Sequence, residues 1–523
     1  MKKLFALLLA LTMVFSLAAT AFAEETDTTY SITINNATDG YTYGAWQIFT
    51  GDLSEGTLSN VAWGSHVTNV TDGKLVKQGS ALNGLTASQI AERMGKDYVA
   101  TAEAPKITLE DLLAAISLSE TTTATSTDNG NTYVINGLVA GYYLVKNTVV
   151  PTAGAYTDYI VQVVDNVEMA PKGDAPKIEK KVKDINDSTE AAASDWQDSA
   201  DHDIGDTINY KITVTMPSTL EGYSSYKMKI TDTISKGLTY NENATVKVYN
   251  GDTEVTTTAA VTTLTAEYTG SDTKYTGGKV LTFDLDAGND GTYDAIALGI
   301  KAGYTIVIEY SATLNDNAVI GSVGNPNVVD LDFSNNPNKT DDMGSTPEDV
   351  VIVFTYKLVI NKTDSENKAL TGAEFKLEKK QQDGNWKEIT LTKSASGEGE
   401  TAVADSVFSA KGLDDGEYKI SETTTPAGYN SIDPIEFKVE AGHVVRADNP
   451  TLNTLTGTVT TGEISFTADT ANGSLTTSIV NKSGTELPET GGMGTTLFYI
   501  VGGIMVAAAV VLLVTKKRMG AEG

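Results

Sequence analysis

Lys362, Glu422 and Asn481 are three polar residues that strand alternation directs toward one apolar interior, since successive side chains of a strand point to opposite faces. Each shares its predicted strand face with apolar neighbours: Leu358 and Ile360 for the lysine, Tyr418 and Ile420 for the glutamate, and Ile479 for the asparagine. A charged lysine in such an interior is costly unless it is paired or loses its proton.

This set of residue types permits two interpretations. The first is a buried ion pair of Lys362 with Glu422, with Asn481 hydrogen-bonded beside it. The second is a reaction, because burial removes the proton from a lysine and keeps one on a glutamic acid. The neutral amine of Lys362 then attacks the carboxamide of Asn481, the acid moves protons, ammonia leaves, and an isopeptide bond remains. Enforced proximity supplies most of the acceleration, so no other enzyme is needed.

A second set of the same kind occurs earlier in the chain. Lys180 shares a face with Ile178 and Val182, and Asp232 lies between Ile230 and Ile234 on one face. Asn327 begins a face that continues with Val329, Leu331 and Phe333, and Asn325, which has the same parity, is the alternative asparagine. The expected cross-link is Lys180 to Asn327 with Asp232 as the acid.

The first part of the chain lacks this chemistry. Its opening strand has Asn36 where the other units have the lysine, and Asn147 stands where Glu422 would align. We therefore predict no isopeptide bond there.

The elements that must position these residues are short β-strands between turn residues, which indicates an all-β protein of tandem immunoglobulin-like β-sandwiches. Residues 108 to 118 depart from the pattern: Thr108 can cap a helix and leucines recur at helical spacing, so the first sandwich has a helical insertion. The expected divisions are a signal peptide 1–23, an N-terminal domain 24–171, a middle domain 172–350, a C-terminal domain 351–486 and a terminal segment 487–523.

Both ends of the chain carry segments that direct it to or hold it at a membrane. A basic start, an apolar run and a small-residue site ending at Ala23 are typical of a secretory signal peptide. Near the C-terminus an apolar run from Leu497 to Val514 is long enough for a transmembrane helix, and the basic residues 516–518 that follow it belong on the cytoplasmic side. The residues just before that run are Leu487, Pro488, Glu489, Thr490 and Gly491.

Composition restricts the possible functions. The chain has 523 residues, no cysteine and a formal net charge of −30, which argues against nucleic acid as a partner. Without disulfides, an exported protein needs another source of toughness. The three histidines show no metal-ligand spacing, and we expect neither a metal nor any other cofactor. A surface enzyme is disfavoured because no hydrolase motif occurs.

The order of Leu487–Gly491, apolar helix and basic tail resembles the cell-wall sorting signal of Gram-positive surface proteins. That resemblance implies that a sortase cleaves after Thr490 and transfers its carbonyl to an amine, finally that of a peptidoglycan precursor. The stretch from Tyr418 to Tyr429 resembles the E-box of Gram-positive pilins, with Ile420 and Thr425 replacing Leu and Ala of the pattern. The C-terminal domain is thus similar to Cna-B-type domains, and the middle domain resembles the Cna-A-like domain of backbone pilins.

Lys172 follows Val167, Met169 and Pro171 in a segment that resembles the pilin motif at its Val, Pro and Lys. The resemblance implies that a class C sortase joins Thr490 of one subunit to Lys172 of the next, with Lys177 as the alternative lysine. The chain is then the major subunit of a covalent pilus shaft on the cell surface, anchored by a housekeeping sortase and accompanied by minor pilins. The alternative is a wall-anchored adhesin, or a basal or tip pilin, that does not polymerise. In a shaft, tension passes through the middle and C-terminal domains, and both expected links would join first and last strands.

Overall fold

The computed structural model describes residues 28–36, 38–120, 122–125, 132–170, 174–189, 193–218, 220, 223–286, 288, 290–337, 339, 341–397, 402–484 and 493–519. Within them the chain is mostly β, in paired sheets that enclose separate cores, and a single long apolar helix lies near the C-terminus. The expected all-β class of tandem sandwiches with a C-terminal apolar helix is confirmed. Ala23, Lys172 and the Leu487–Gly491 motif lie outside the described residues.

Unit 1, from residue 28 to 170, packs a three-stranded sheet, β10-β1-β7, near a five-stranded sheet, β3-β2-β8-β9 with β6. Its strands are β1 Tyr30–Asn35, β2 Thr42–Ser54, β3 Thr57–Trp63, β4 Val70–Thr71, β5 Lys74–Leu75, β6 Thr122–Thr125, β7 Thr132–Leu138, β8 Gly141–Val149, β9 Asp158–Val163 and β10 Val167–Met169.

The helical insertion of unit 1 consists of two helices, α1 Ala87–Met94 and α2 Leu109–Ala115. The hydroxyl of Thr108 accepts from the backbone of Asp111, and the Asp111 carboxylate accepts from the Thr108 backbone, so a capping box starts α2 as its sequence suggests. Helix α1 was not anticipated, although Thr86 and Gln89 form the same kind of cap. Both helices pack on the five-stranded sheet, and their apolar residues form one core with those of strands β2, β3 and β8.

Unit 2 extends from residue 174 to 354 and encloses the largest core among the described residues. Its six-stranded sheet contains β11, β13, β21, β16, β17 and β15, and its eight-stranded sheet contains β12, β24, β22, β14, β19, β18, β20 and β23. The strands are β11 Lys177–Val182, β12 Ser199–Asp201, β13 Thr207–Thr215, β14 Lys227–Ile234, β15 Leu238–Tyr240, β16 Thr245–Asn250, β17 Thr253–Glu254, β18 Thr262–Glu267, β19 Lys279–Asp284, β20 Tyr293–Asp294, β21 Thr305–Leu314, β22 Asn325–Ser334, β23 Met343–Ser345 and β24 Asp349–Phe354, with a 3-10 turn at Thr273–Tyr275.

Unit 3, from residue 356 to 484, is a sandwich of two five-stranded sheets. The β25 sheet has the order β28-β29-β25-β34-β33, and the β30 sheet has the order β27-β26-β30-β31-β32. Its strands are β25 Tyr356–Asp364, β26 Glu374–Lys380, β27 Trp386–Ile389, β28 Thr392–Ser396, β29 Val403–Leu413, β30 Gly416–Thr424, β31 Ile435–His443, β32 Leu452–Thr461, β33 Thr467–Asp469 and β34 Ser474–Asn481.

Units 2 and 3 join with almost no linker. Strand β24 pairs with β12 and β22 in unit 2, so it runs through the boundary expected at residue 350. Only Thr355 separates it from β25, and the Thr355 hydroxyl donates to the Leu413 carbonyl of unit 3 at 3.1 Å. After unit 3, helix α3 Met493–Met519 contains a span, Phe498–Lys517, that is long and apolar enough to cross a membrane.

Candidate functional site

In unit 2 the lysine and the two other predicted residues come from opposite sheets. Lys180 lies on β11 of the six-stranded sheet, and Asp232 and Asn327 lie on β14 and β22, which are neighbours in the eight-stranded sheet. All three side chains are fully buried, at 0 % exposure. The alternation of apolar and polar residues in these strands therefore brings the predicted set together between the two sheets.

Tyr310, on β21, connects the three side chains. Its hydroxyl accepts from Lys180 Nζ at 2.8 Å and from Asn327 Nδ2 at 2.7 Å, and it donates to Asp232 Oδ2 at 3.0 Å. The Lys180 amine also contacts Asp232 Oδ2 directly. Two acceptor atoms, Asp232 Oδ1 and Asn327 Oδ1, are buried without a hydrogen-bond partner. A proton on Asp232 would let one of these oxygens donate toward the other.

The electrostatics of this pocket favour the uncharged forms. Burial lowers the pKa of Lys180, against the opposing effect of Asp232, and burial raises the pKa of Asp232. Both shifts have the same cause, because a low-dielectric interior penalises either charge. Both shifts favour the uncharged forms, a neutral amine beside a carboxylic acid.

Asn325, the alternative asparagine, does not join this set. It too is fully buried, but its Nδ2 donates to the carbonyls of Val319 and Val353, each at 3.1 Å, and its Oδ1 accepts from the Val319 backbone at 2.8 Å. Its amide group is used to hold the loop before β22. The expectation that Asn327 lies in the last strand of unit 2 is wrong, because β23 and β24 follow β22.

In unit 3 the lysine and asparagine lie on adjacent parallel strands of one sheet. Lys362 on β25 pairs in register with Ile479, and Asn481 on β34 pairs with Asp364, so the two are offset by two residues. Lys362 is 1 % exposed and Asn481 is 0 % exposed. Glu422 comes from β30 in the facing sheet and is half-buried. The predicted set is therefore assembled across this sandwich as well.

The contacts in unit 3 place Glu422 beside the asparagine. Asn481 Nδ2 donates to Glu422 Oε2 at 3.0 Å, and Glu422 Oε2 also accepts from the Thr425 hydroxyl at 3.2 Å. Lys362 Nζ donates to the carbonyls of Thr363 and Ile479, at 2.9 and 3.1 Å. Burial lowers the pKa of Lys362 to about 8, with Glu422 and Asp364 acting in the opposite direction. Asn481 Oδ1 and Glu422 Oε1 are buried and unpartnered.

Both arrangements can support the same condensation. In this condensation a neutral lysine amine would attack the side-chain carbonyl carbon of the asparagine, the carbon–nitrogen bond of the carboxamide would break, and the acidic side chain would carry the amine proton to the departing ammonia. The number of protons is unchanged, and no cofactor takes part. The fully buried surroundings of the unit 2 set strengthen its polar contacts.

Unit 1 brings no such set together among its described residues. Asn147 is buried, but its Oδ1 accepts from the backbone and hydroxyl of Thr157 at 2.6 and 2.9 Å. Asn36 Nδ2 donates to the Tyr43 hydroxyl at 2.9 Å. Both asparagines therefore serve the local structure.

A further buried lysine, Lys379 on β26, was missed by sequence reasoning. It is 1 % exposed and contacts Asp414, together with Asp203 at 2.7 Å and Asp187 at 3.7 Å, both from unit 2. Burial alone would lower its pKa, but the carboxylates of Asp414 and Asp203 outweigh burial and raise it. Lys379 is thus an ammonium ion that ties unit 3 to unit 2. Lys379 shares a strand face with Phe375 and Leu377, and this alternation could have predicted that its side chain points inward.

Three family models match separate parts of the chain. Residues 204–337 match the Gram-positive pilin backbone subunit 2, Cna-B-like domain, residues 356–451 match the SpaA prealbumin-like fold domain, and residues 479–519 match the LPXTG cell wall anchor motif. The model that matches unit 2 is described as Cna-B-like, whereas the sequence led us to expect a Cna-A-like domain there. The last match covers the motif and apolar helix singled out in the sequence.

Individual proteins resemble the chain over most of its length. It is 24 % identical over 465 residues, covering 75 % of this chain and 78 % of the relative, to the trypsin-resistant surface T6 protein of Streptococcus pyogenes. The structure of the T6 backbone pilin of serotype M6 S. pyogenes, described as modular with three domains, aligns with a TM-score of 0.51 at 17 % identity, covering 88 % of this chain and all of the other. The full-length major pilin SpaD of Corynebacterium diphtheriae aligns at 0.44 and 19 % identity, covering 87 % and 98 %.

Proposed function

The chain is a Gram-positive backbone pilin, a structural subunit of a sortase-assembled pilus on the cell wall, and from that premise we propose how it is joined and hardened. The observation that carries the proposal is the combination of a cell-wall anchor match at residues 479–519 with a pilin backbone match at residues 204–337. The anchor alone would suit any wall-bound surface protein, whereas the backbone match specifies a subunit that is linked to others.

We propose that a class C sortase transfers the Thr490 carbonyl of one subunit to the amine of Lys172 in the next. The Thr490–Gly491 bond breaks, an acyl-enzyme forms, and the lysine amine displaces the enzyme. In the amino-acid sequence Lys172 comes after the residues of β10 and before those of β11, and the exposed Lys177 at the start of β11 is the alternative. A housekeeping sortase then attaches the finished shaft to a peptidoglycan precursor, and minor pilins join the same polymer.

The intersubunit link can be tested on cells that express the chain, by examining the pili on a denaturing gel. Wild-type protein should form a ladder of high-mass species on a denaturing gel. Lys172→Ala should leave single copies, and Lys177→Ala, the matched control five residues away, should keep the ladder. The reverse result would assign the link to Lys177, and a ladder that survives both substitutions would refute both lysines. Single copies from the wild type would indicate a wall-anchored adhesin that does not polymerise.

We also propose two isopeptide bonds within each subunit, Lys180 to Asn327 and Lys362 to Asn481, with Asp232 and Glu422 as the respective acids. The support is that each buried lysine has a lowered pKa and shares its pocket with an acid and an asparagine whose carbonyl oxygen is unpartnered. The same surroundings would disfavour a permanent ion pair, whereas at Lys379 the carboxylates of Asp414 and Asp203 outweigh burial and keep the amine charged.

Intact mass spectrometry of the mature chain tests these bonds directly. The measured mass should be below the sequence mass by two ammonia molecules, about 17 Da each. Lys180→Ala and Lys362→Ala should each restore one of them, and Lys379→Ala, which alters an equally buried lysine, should restore none. A wild-type mass equal to that of the unreacted chain would overturn the proposal while leaving the intersubunit link untouched.

A further inference from the structure

The contact between units 2 and 3 holds a second cluster of groups, formed by Asp184 and Asp201 of unit 2 and His443 of unit 3. Strand β12 brings Asp201 to the interface, because it pairs with β24 directly before the start of unit 3. The Asp201 side chain is 3 % exposed and the His443 side chain is 7 % exposed. One carboxylate oxygen from each aspartate and one ring nitrogen of His443 lie within 4.8 Å of one another.

The hydrogen bonds of Ser199 determine which nitrogen of His443 carries a proton. The Ser199 hydroxyl donates to the Val444 carbonyl at 2.8 Å, so its single proton is used there. The same hydroxyl lies 2.7 Å from His443 Nδ1 and must accept from it. His443 is thereby held with a proton on Nδ1, which leaves Nε2, on the side of the two carboxylates, as the ring nitrogen that can bind a metal ion.

The separations around Nε2 suit three ligands of one ion. Nε2 lies 3.5 Å from Asp201 Oδ1 and 3.7 Å from Asp184 Oδ2, which is longer than good hydrogen bonds. Ligands placed about 2.1 Å from a tetrahedral metal are about 3.4 Å apart. The donor set, one imidazole and two carboxylates, is of the kind that first-row divalent metals accept.

The hydroxyl of Tyr356 is an independent indication that a group is accommodated here. Tyr356 is 1 % exposed, and no partner meets the geometry of a good hydrogen bond to its hydroxyl. The hydroxyl faces Asp201, which interacts with it directly and, together with Asp415 and Asp184, adds to the effect of burial in raising its pKa. A buried phenol directed at a cluster of anions is placed to donate to a carboxylate or to a metal-bound water.

A neighbouring cluster of carboxylates in the same interface is neutralised by a lysine instead. Asp187, Asp203 and Asp206 are grouped in a similar way, but the ammonium of Lys379 contacts two of them and supplies the positive charge. Among the described residues, no lysine or arginine lies within 4.0 Å of the carboxylates of Asp184 or Asp201. The cluster with the histidine therefore lacks a built-in cation of that type.

We propose that Asp184, Asp201 and His443 bind one divalent first-row metal ion, of which Zn²⁺ is the representative, and that this ion clamps unit 2 to unit 3. Two ligands come from one unit and one from the other, so binding requires the two units to keep their observed contact. The site does not depend on polymerisation or on the isopeptide bonds, and its test uses the single subunit.

Calorimetry tests the site. The mature chain is first freed of metal with a chelator and is then titrated with ZnCl₂ at pH 7.5. We expect one zinc ion per chain and at least a tenfold loss of affinity in His443→Ala and in Asp201→Asn. Asp184→Asn should weaken binding similarly; because Asp184 lies outside the strands, this variant separates lost ligation from misfolding. Asp433→Asn, at an exposed position of unit 3, is the control and should bind as the wild type does.

Two results would overturn the assignment. Wild-type chain that binds no zinc would mean that a protonated His443 simply pairs with the carboxylates. Zinc binding that is unchanged in all three ligand variants would place the ion elsewhere. Calcium titrated alone should bind at least tenfold more weakly than zinc, and equal affinity for calcium would refute a transition-metal site.

Discussion

Units 2 and 3 carry the same three kinds of residue in different layouts. In unit 2 the lysine lies on one sheet and the asparagine on the other, so a bond between them would fasten the two sheets together. In unit 3 the two residues lie on adjacent strands of the β25 sheet, and only Glu422 comes from the facing sheet. The chemistry thus requires that the three groups meet, and it does not require a particular pair of strands.

The surroundings of the two sets differ as well. The unit 2 pocket is closed on all sides and contains Tyr310, whose hydroxyl bonds to all three members. The unit 3 pocket is partly open at Glu422, and its lysine donates to backbone carbonyls. Unit 2 therefore depends more strongly on its acid, because a charge left there has no access to water. The following experiments test that difference.

Asp232→Asn should have the largest effect. The substitution removes the acid, so the Lys180–Asn327 bond should not form and the mass should rise by one ammonia. The free energy of unfolding of unit 2 should fall by about 5 kcal/mol, because the bond closes a loop of roughly 150 residues in the unfolded chain. Thermal unfolding followed by calorimetry measures this loss. Asp332→Asn, on the neighbouring strand β22, is the control and should keep both the bond and the stability.

Glu422→Gln should have a somewhat smaller effect on unit 3. The mass should again rise by one ammonia, and the loss should be a little under about 5 kcal/mol, since the loop of roughly 120 residues is only slightly shorter and the free Lys362 still donates to two carbonyls. Glu440→Gln, an exposed change in the same sheet, should behave as the wild type. A larger loss in unit 3 than in unit 2 would contradict the comparison drawn above.

Tyr310→Phe should slow bond formation in unit 2 without preventing it. The phenol links the lysine, acid and asparagine, and loss of a positioned proton-transfer group costs about 100-fold in rate. Mass spectra taken at intervals after synthesis should show the unit 2 bond forming late and the unit 3 bond forming on the wild-type schedule. Simultaneous delay in both units would mean that the substitution acts on folding in general.

The smallest effect concerns pH and the lysine of unit 3. Asn481→Ala leaves Lys362 unreacted, with a pKa of about 8 in the folded state against an ordinary value of 10.5. Between these values the unfolded chain binds more protons, so stability should rise with pH through this window, by about 1.5 kcal/mol from pH 8 to 9.5. Below pH 8 the lysine is protonated in both states and the penalty is constant. Urea titrations measure the trend, and adding Lys362→Met to Asn481→Ala should abolish it.

Much of both sites could be predicted because one rule, the alternation of strand faces, determines which polar residues point inward. The rule identified Lys180, Asp232 and Asn327 without knowledge of which strands are neighbours. It could not identify Tyr310, since a buried tyrosine in an apolar strand looks like ordinary core. The final strand of unit 2 was missed because its residues, Asp349–Phe354, adjoin β25 so closely that they read as the entry to unit 3.

The position of Asn327 ahead of β23 and β24 has a mechanical consequence. A bond from Lys180 to Asn327 would enclose most of unit 2 but leave roughly 30 residues, up to Phe354, between the bond and unit 3. A strong enough pull could draw out that stretch by close to 100 Å, at about 3.5 Å per residue, before any covalent bond was strained. Unit 3 has no comparable reserve, because Asn481 is the last residue of its last strand. Each subunit would then contain one extensible segment that dissipates mechanical energy, located between two cross-linked domains.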